Sequence, residues 1–307
     1  MKKVTRTSLI LVLIGLALSI IIVSGSIITP EITHHVTSSN TTGLIKHIII
    51  IVLENEAYRT VYGSISAPYL TSIADNYTLL TNYHGTSHPS LPNYLAIIAG
   101  SNFGISDDNP PVMHADIANN KEVTAIMESK GITWKSYMES MPSTCDDSSS
   151  GLYAVKHNPF AYFSDITGDS LYCNNHIVDF VQLNADIIKN NLPNFAFIVP
   201  NLYNDGHDTS ITFADTWLSG FLPKLINSPT FSNSVIFVTF DEDSPDTADN
   251  HVYTVVIGPS TIVKAGYKSS TYYTHYSLLA TIENIYSLGN LGRNDTSATV
   301  IKDIFHS

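Results

Sequence analysis

The chain has 307 residues, 44% of them hydrophobic, enough to build a full globular core. Only 14% are charged and the net charge is −12, which excludes nucleic acid as a bulk-electrostatic partner but leaves room for a small phosphate group held locally. Few ion pairs and many hydroxyls and amides suit an acidic medium, where carboxylates lose charge.

Residues 1–30 read as a signal peptide or an N-terminal membrane anchor. Lys2, Lys3 and Arg6 precede an apolar run over residues 9–23, followed by the small residues Ser24, Gly25 and Ser26. Membrane association would run through residues 7–28. Basic residues ahead of the run place the body outside the cytoplasm, secreted or held on the outer face of the membrane. Residues 31–46 form a polar, Thr/Ser-rich stalk, and residues 47–307 a single folded body with an insertion over 140–173. Glycosylation sequons begin at Asn40, Asn76 and Asn294. The two cysteines, Cys145 and Cys173, are expected to form a disulfide in an oxidising compartment.

Within the body, His47-Ile48-Ile49-Ile50-Ile51-Val52-Leu53 is mostly β-branched and does not alternate, the pattern of a strand buried on both faces. Residues 195–199, 234–240 and 252–257 repeat it, and residues 133–137 add a further strand. Helices are expected over 92–99, 117–130, 178–190, 213–225 and 276–286. Strands alternating with helices indicate a three-layer α/β/α sandwich around a mostly parallel sheet.

Placement makes the polar residues informative, because open parallel sheets gather ligands beyond the carboxyl ends of their strands. Glu54-Asn55 ends the first strand and Asp241-Glu242-Asp243 ends the third, while residues 201–208 follow the second. A carboxylate beside an amide carbonyl suits a hard or borderline cation; the alternative is Asn55 as a helix cap with Glu54 in solvent. Three adjacent carboxylates repel one another unless a cation or solvent relieves them. Ser90 lies between Pro89 and Pro92, ahead of an apolar helix whose N-terminal amides suit a phosphoryl oxygen. A hydroxyl needs a base or a metal to attack, and His88 is a candidate base or phosphate donor. Alone, Ser90 reads as a turn hydroxyl. His157, His207, His251 and His275 fall near these segments, whereas His34, His35 and His306 lie in the termini.

The sequence resembles the phosphoesterase family that contains bacterial acid phosphatases and the non-zinc-cluster phospholipase C enzymes, a branch of the alkaline phosphatase-like superfamily. Six segments carry the resemblance in family order: residues 49–55, His88-Pro89-Ser90-Leu91-Pro92-Asn93-Tyr94, Lys156-His157-Asn158-Pro159, Asn204-Asp205-Gly206-His207-Asp208, residues 238–242, and Thr274-His275-Tyr276-Ser277 running on to Glu283. It implies an alkaline phosphatase-like fold and one divalent metal held by Glu54, Asn55, Asp241 and Glu242. It also implies Ser90 as nucleophile, with His157 and His207 gripping the phosphate and Asp205 assisting. A second metal is left in doubt, because Glu242 stands where an Asp-His pair is common and Asp205-Gly206-His207 lacks the longer spacing. The implied activity is hydrolysis of small phosphate monoesters through a phosphoserine. A phosphodiesterase or phospholipase C is the alternative. A non-catalytic exported envelope protein is another, in which Glu54, Ser90 and Asp241 would not converge.

Overall fold

The structure, a computed structural model, describes residues 41–307. The apolar run, most of the stalk and the Asn40 sequon lie outside the described residues. Among the described residues no helix is long and apolar enough to cross a membrane, so the description as a membrane protein is not upheld there, and the segment 7–28 on which it was placed lies outside them.

The strands, in chain order, are β1 (His47–Leu53), β2 (Thr78–Leu80), β3 (Tyr83–His84), β4 (Trp134–Met138), β5 (Ile177–Asp179), β6 (Phe195–Val199), β7 (Ser234–Phe240), β8 (Thr254–Ile257), β9 (Lys268–Ser269) and β10 (Tyr273–Thr274). Eight of them form one sheet in the order β5-β4-β6-β1-β7-β8-β2-β9, and β10 pairs with β3 apart from it. The five from β5 to β7 run parallel; β8 turns antiparallel to β7 and β2. β1 sits in the middle, with Ile50 opposite Phe197 of β6 and Phe237 of β7, and residues 48–53 are all buried. A strand buried on both faces requires helices on both faces. The helices Ser90–Ala99 and His275–Tyr286 pack on each other, as do Pro68–Asn76 and Ile211–Ile226. The result is the mixed α/β architecture expected, a largely parallel sheet flanked by helices.

Local chemistry moved several boundaries. The helix expected over 117–130 is confined to Val123–Glu128, because the Glu122 carboxylate caps it by accepting from the Thr124 and Ala125 amides. Residues 178–190 divide into β5 and the helix Phe180–Ile188, with Asp179 as the cap between them. The helix expected from Pro92 starts at Ser90. Proline is tolerated there because a first-turn N–H has no partner inside the helix. Cys145 and Cys173 are disulfide-bonded, and the insertion between them folds into short helical turns.

One buried contact away from these strand ends gives the fold a pH dependence. Glu283 and Asp295 are each 3% exposed. Asp295 already accepts from the Leu291 and Arg293 amides, while Glu283 Oε1 has no partner. Burial, then the Asp295 charge, raises the Glu283 carboxyl from the ordinary 4.5 to about 8. A carboxyl raised by folding contributes stability below its unfolded value, and that contribution is lost as pH rises through the folded value. Glu283→Gln is therefore expected to raise the melting temperature at pH ~8 and to change it little at pH ~4.5, as paired thermal melts would show.

Candidate active site

The carboxyl ends of β1, β6 and β7 meet through backbone hydrogen bonds. The Glu54 amide donates to the Asp205 carbonyl at 3.1 Å, and the Asp241 amide to the Leu53 carbonyl at 3.1 Å. Gly206 (φ 107°) suits the first junction, since a side chain would be strained in that backbone conformation. Around this junction lie the buried carboxylates Glu54, Asp205, Asp241 and Glu242.

Ser90 occupies the first turn of its helix and is 1% exposed. Its hydroxyl reaches Glu54 Oε2 at 3.1 Å and Glu242 Oε1 at 3.2 Å. Asn93 fixes the loop before it: Oδ1 accepts from the Thr86 and Ser87 amides, and Nδ2 donates to the Ser87 carbonyl. Glu54 Oε1 accepts from the Tyr94 hydroxyl, and the Tyr94 ring stacks on His157 with centroids 5.1 Å apart. His157 comes from the disulfide-pinned insertion, so that segment is part of the site.

Two expectations are corrected by this geometry. His88 was a candidate base for Ser90, but its Nδ1 lies 2.6 Å from Glu242 Oε2 and its Nε2 3.1 Å from the Thr247 carbonyl. Its link to Ser90 runs through Glu242, which contacts both. Of the N-terminal helical amides expected to face a phosphoryl oxygen, that of Leu91 is engaged: its N–H donates to Asp108 Oδ1 at 2.9 Å. Asp108 Oδ2 holds Lys156 Nζ at 3.0 Å, and that ammonium also lies 3.3 Å from His207 Nε2. His207 in turn bonds Asp208 through Nδ1.

His157 Nε2 is 3.2 Å from Glu54 Oε1, and His157 Nδ1 is 3.6 Å from Asp205 Oδ2. Glu54, His157 and Asp205 each offer an atom within 4.8 Å of the others, the one such cluster among the described residues. His157 Nε2, Asp205 Oδ2 and Asp241 Oδ2 are buried without hydrogen-bond partners. Orphaned atoms of this kind are costly, and a divalent cation would satisfy them. The residues therefore fit a metal, through a donor set that differs from the expected one. Glu54 is common to both. Asp241 Oδ1 accepts the Asn55 amide at 3.1 Å while its Oδ2 stays open. Asn55 is half-buried with φ 26°, and Glu242 is engaged by His88 and Ser90.

The charges are crowded. Burial, followed by the Glu54 charge, pushes the Asp205, Asp241 and Glu242 carboxyls above their usual range. Burial would raise Glu54 too, but His157 and Lys156 outweigh it and hold Glu54 low. His275 supports the cluster from below: Nε2 bonds the Asp241 carbonyl, Nδ1 meets the Tyr83 hydroxyl, and burial lowers its pKa to about 4. His251 stands apart, stacked between Tyr58 and His84. A cavity of about 630 Å³ opens at the opposite ends of the strands near Trp134 and Pro193 and is lined by none of these residues.

The model of the Phosphoesterase family matches residues 65–289. The chain belongs to that family. It is 35% identical over 269 residues to a probable acid phosphatase of Kluyveromyces lactis, covering 84% of this chain and 62% of that protein. It is 34% identical over 260 residues to a phosphatidylinositol-3-phosphatase of Mycobacterium tuberculosis, covering 84% and 82%. The chain spans 57% to 62% of the length of three fungal acid phosphatases that it matches. Among solved structures, a protein of the alkaline phosphatase superfamily from Vibrio parahaemolyticus aligns with TM-score 0.58 and 12% identity, covering 85% of this chain and 72% of that one. At that identity the likeness shows the fold, which is that of the superfamily.

Sequence reasoning quoted Lys156 and Tyr94 inside motifs but gave them no role, and it passed over Asp108. For Lys156 and Tyr94 the signal is proximity to motif residues; Asp108 has none, because it reaches back to Leu91 across 17 positions, over the helix to Ala99 and the irregular chain after it.

Proposed function

We propose that this chain is an extracytoplasmic, metal-assisted phosphatase that hydrolyses phosphate monoesters through a phosphoserine at Ser90. The observation that carries the reading is the Ser90 hydroxyl set between two buried carboxylates, Glu54 and Glu242. A non-catalytic envelope protein would have no reason to assemble them. The Cys145–Cys173 disulfide supports the location.

Glu54, His157 and Asp205 would hold a divalent ion, which supplies positive charge for a transferring phosphoryl group and for a serine oxygen losing its proton. Glu242 takes the Ser90 proton, its second oxygen held by His88. Ser90 Oγ forms a bond to phosphorus as the ester P–O bond breaks, and the alcohol leaves with a proton from solvent. Water then attacks the phosphoserine as Glu242 returns its proton to the Ser90 oxygen, regenerating the hydroxyl and the carboxylate and releasing inorganic phosphate. Lys156, buttressed by Asp108, adds a cation at the same cluster, where its charge lowers the Glu54 pKa.

Phenyl phosphate is expected to be hydrolysed at least about 100-fold faster than diphenyl phosphate at equal concentration, a gap of roughly 2.7 kcal/mol in activation free energy. Preferred turnover of the diester would move the reading to a phosphodiesterase or phospholipase C.

A further inference from the structure

A cavity of about 480 Å³, within the size range of small-ligand clefts, opens beside the nucleophile loop. Its wall includes Thr86, Ser87, His88, Asn250, Tyr272 and Tyr276. We infer that this cavity receives the alcohol of the substrate, and that the alcohol is an uncharged, ring-shaped polyol such as a sugar. The inference rests on the phosphomonoesterase reading.

The cavity is joined to the chemistry by short links. Its His88 wall contacts Glu242, which contacts Ser90, and Thr86 and Ser87 are fastened by Asn93 of the nucleophile helix. The opposite wall is equally fixed. Asn250 donates to the Ser87 carbonyl and accepts from the Gly85 amide through its own carbonyl. Any side chain at position 85 would collide with Asn250, since a Cβ there would lie 2.5 Å from its amide nitrogen. A wall held this way is formed before substrate arrives, which lowers the cost of binding.

Its chemistry selects the ligand. No lysine or arginine lines the cavity, and the His88 imidazole is already paired with Glu242. Asp249 lines the cavity with its side chain 73% exposed, 3.5 Å from His84 Nδ1, and Asp246 lies 3.7 Å from His88 Nδ1. A second phosphate or a carboxylate on the alcohol would meet the Asp249 charge with no lysine or arginine in the lining to offset it. The Thr86 and Ser87 hydroxyls donate within the protein, which leaves their oxygens as acceptors for a polyol's O–H groups. Tyr272 lines the cavity, is 58% exposed and packs against the His84 ring with centroids 4.9 Å apart. An aromatic face of this kind packs on the C–H face of a ring.

The test compares glucose 6-phosphate, glucose 1,6-bisphosphate and ethyl phosphate, whose alcohol is too short to fill the cavity. The wild-type protein should show kcat/KM for the hexose monophosphate about tenfold or more above the bisphosphate, or ~1.4 kcal/mol. Tyr272→Ala should raise KM for glucose 6-phosphate about fivefold or more and leave ethyl phosphate within about twofold. Asp249→Lys should narrow the gap between monophosphate and bisphosphate by about threefold or more. Equal turnover of monophosphate and bisphosphate, or an equal loss on both monoesters in Tyr272→Ala, would overturn the inference while ethyl phosphate turnover left the phosphatase standing. Inactivity on all three esters would overturn both.

Discussion

Replacing Ser90 with alanine is expected to lower kcat on a phosphate monoester by at least about 10³-fold, the scale on which loss of a nucleophile is felt. No second hydroxyl takes its place among the contacts of Glu54 and Glu242: the Tyr94 hydroxyl is bound to Glu54 Oε1, on the far side from Ser90. The fold should be unaffected. Ser90 begins its helix without capping it through the side chain, and alanine is a better helix former. Melting temperature within a few degrees of wild type, with phosphate release abolished, is the expected pair of results. Turnover near wild type in a folded Ser90→Ala protein would remove the phosphoserine from the mechanism.

The parts of this site that the sequence made legible are those at strand ends. β1, β6 and β7 announce themselves as uniform apolar runs, and the residues that follow such strands must lie together at the sheet's carboxyl edge. Glu54, Asp205, Asp241 and Glu242 were placed that way before any side chain was seen. Their division of labour was not, because it depends on which oxygen each presents. Glu242 is turned toward Ser90 and His88, while His157 arrives from an insertion whose path follows from no periodicity. The short strands β2, β3, β9 and β10 were invisible for a related reason. Two or three residues carry no pattern of their own, and their pairing is long-range: β2 is ordered by β8 and β9, far along the chain. The Glu122 cap shows the reverse case, where a local carboxylate overrode a plausible helical run.

Removal of metal tests the cluster as a whole. Prolonged exposure to a strong chelator is expected to reduce turnover by at least about 100-fold, and added divalent metal should restore it. It should also lower the melting temperature by several degrees at pH ~7.5, since a ligand bound only by the native state adds stability. The nearby cations do not suffice to replace it: His88 is spent on Glu242 and Lys156 is shared with Asp108. That leaves Asp205 and Asp241 buried beside Glu54, each with an unpartnered oxygen. The sign of the pH dependence follows. Burial and the Glu54 charge raise both aspartates, so the metal-free native state holds protons that the unfolded chain releases near its ordinary carboxylate range. Such groups stabilise the fold at low pH, and the contribution is lost as pH rises through their folded values. The metal-free protein should therefore gain stability between pH ~7.5 and ~5, and the melting-temperature gap to the metal-bound form should narrow over that interval. Differential scanning calorimetry at both pH values, with and without chelator, measures it. An unchanged melting temperature and full activity in chelator at pH ~7.5 would mean that protons and Lys156 alone neutralise the cluster.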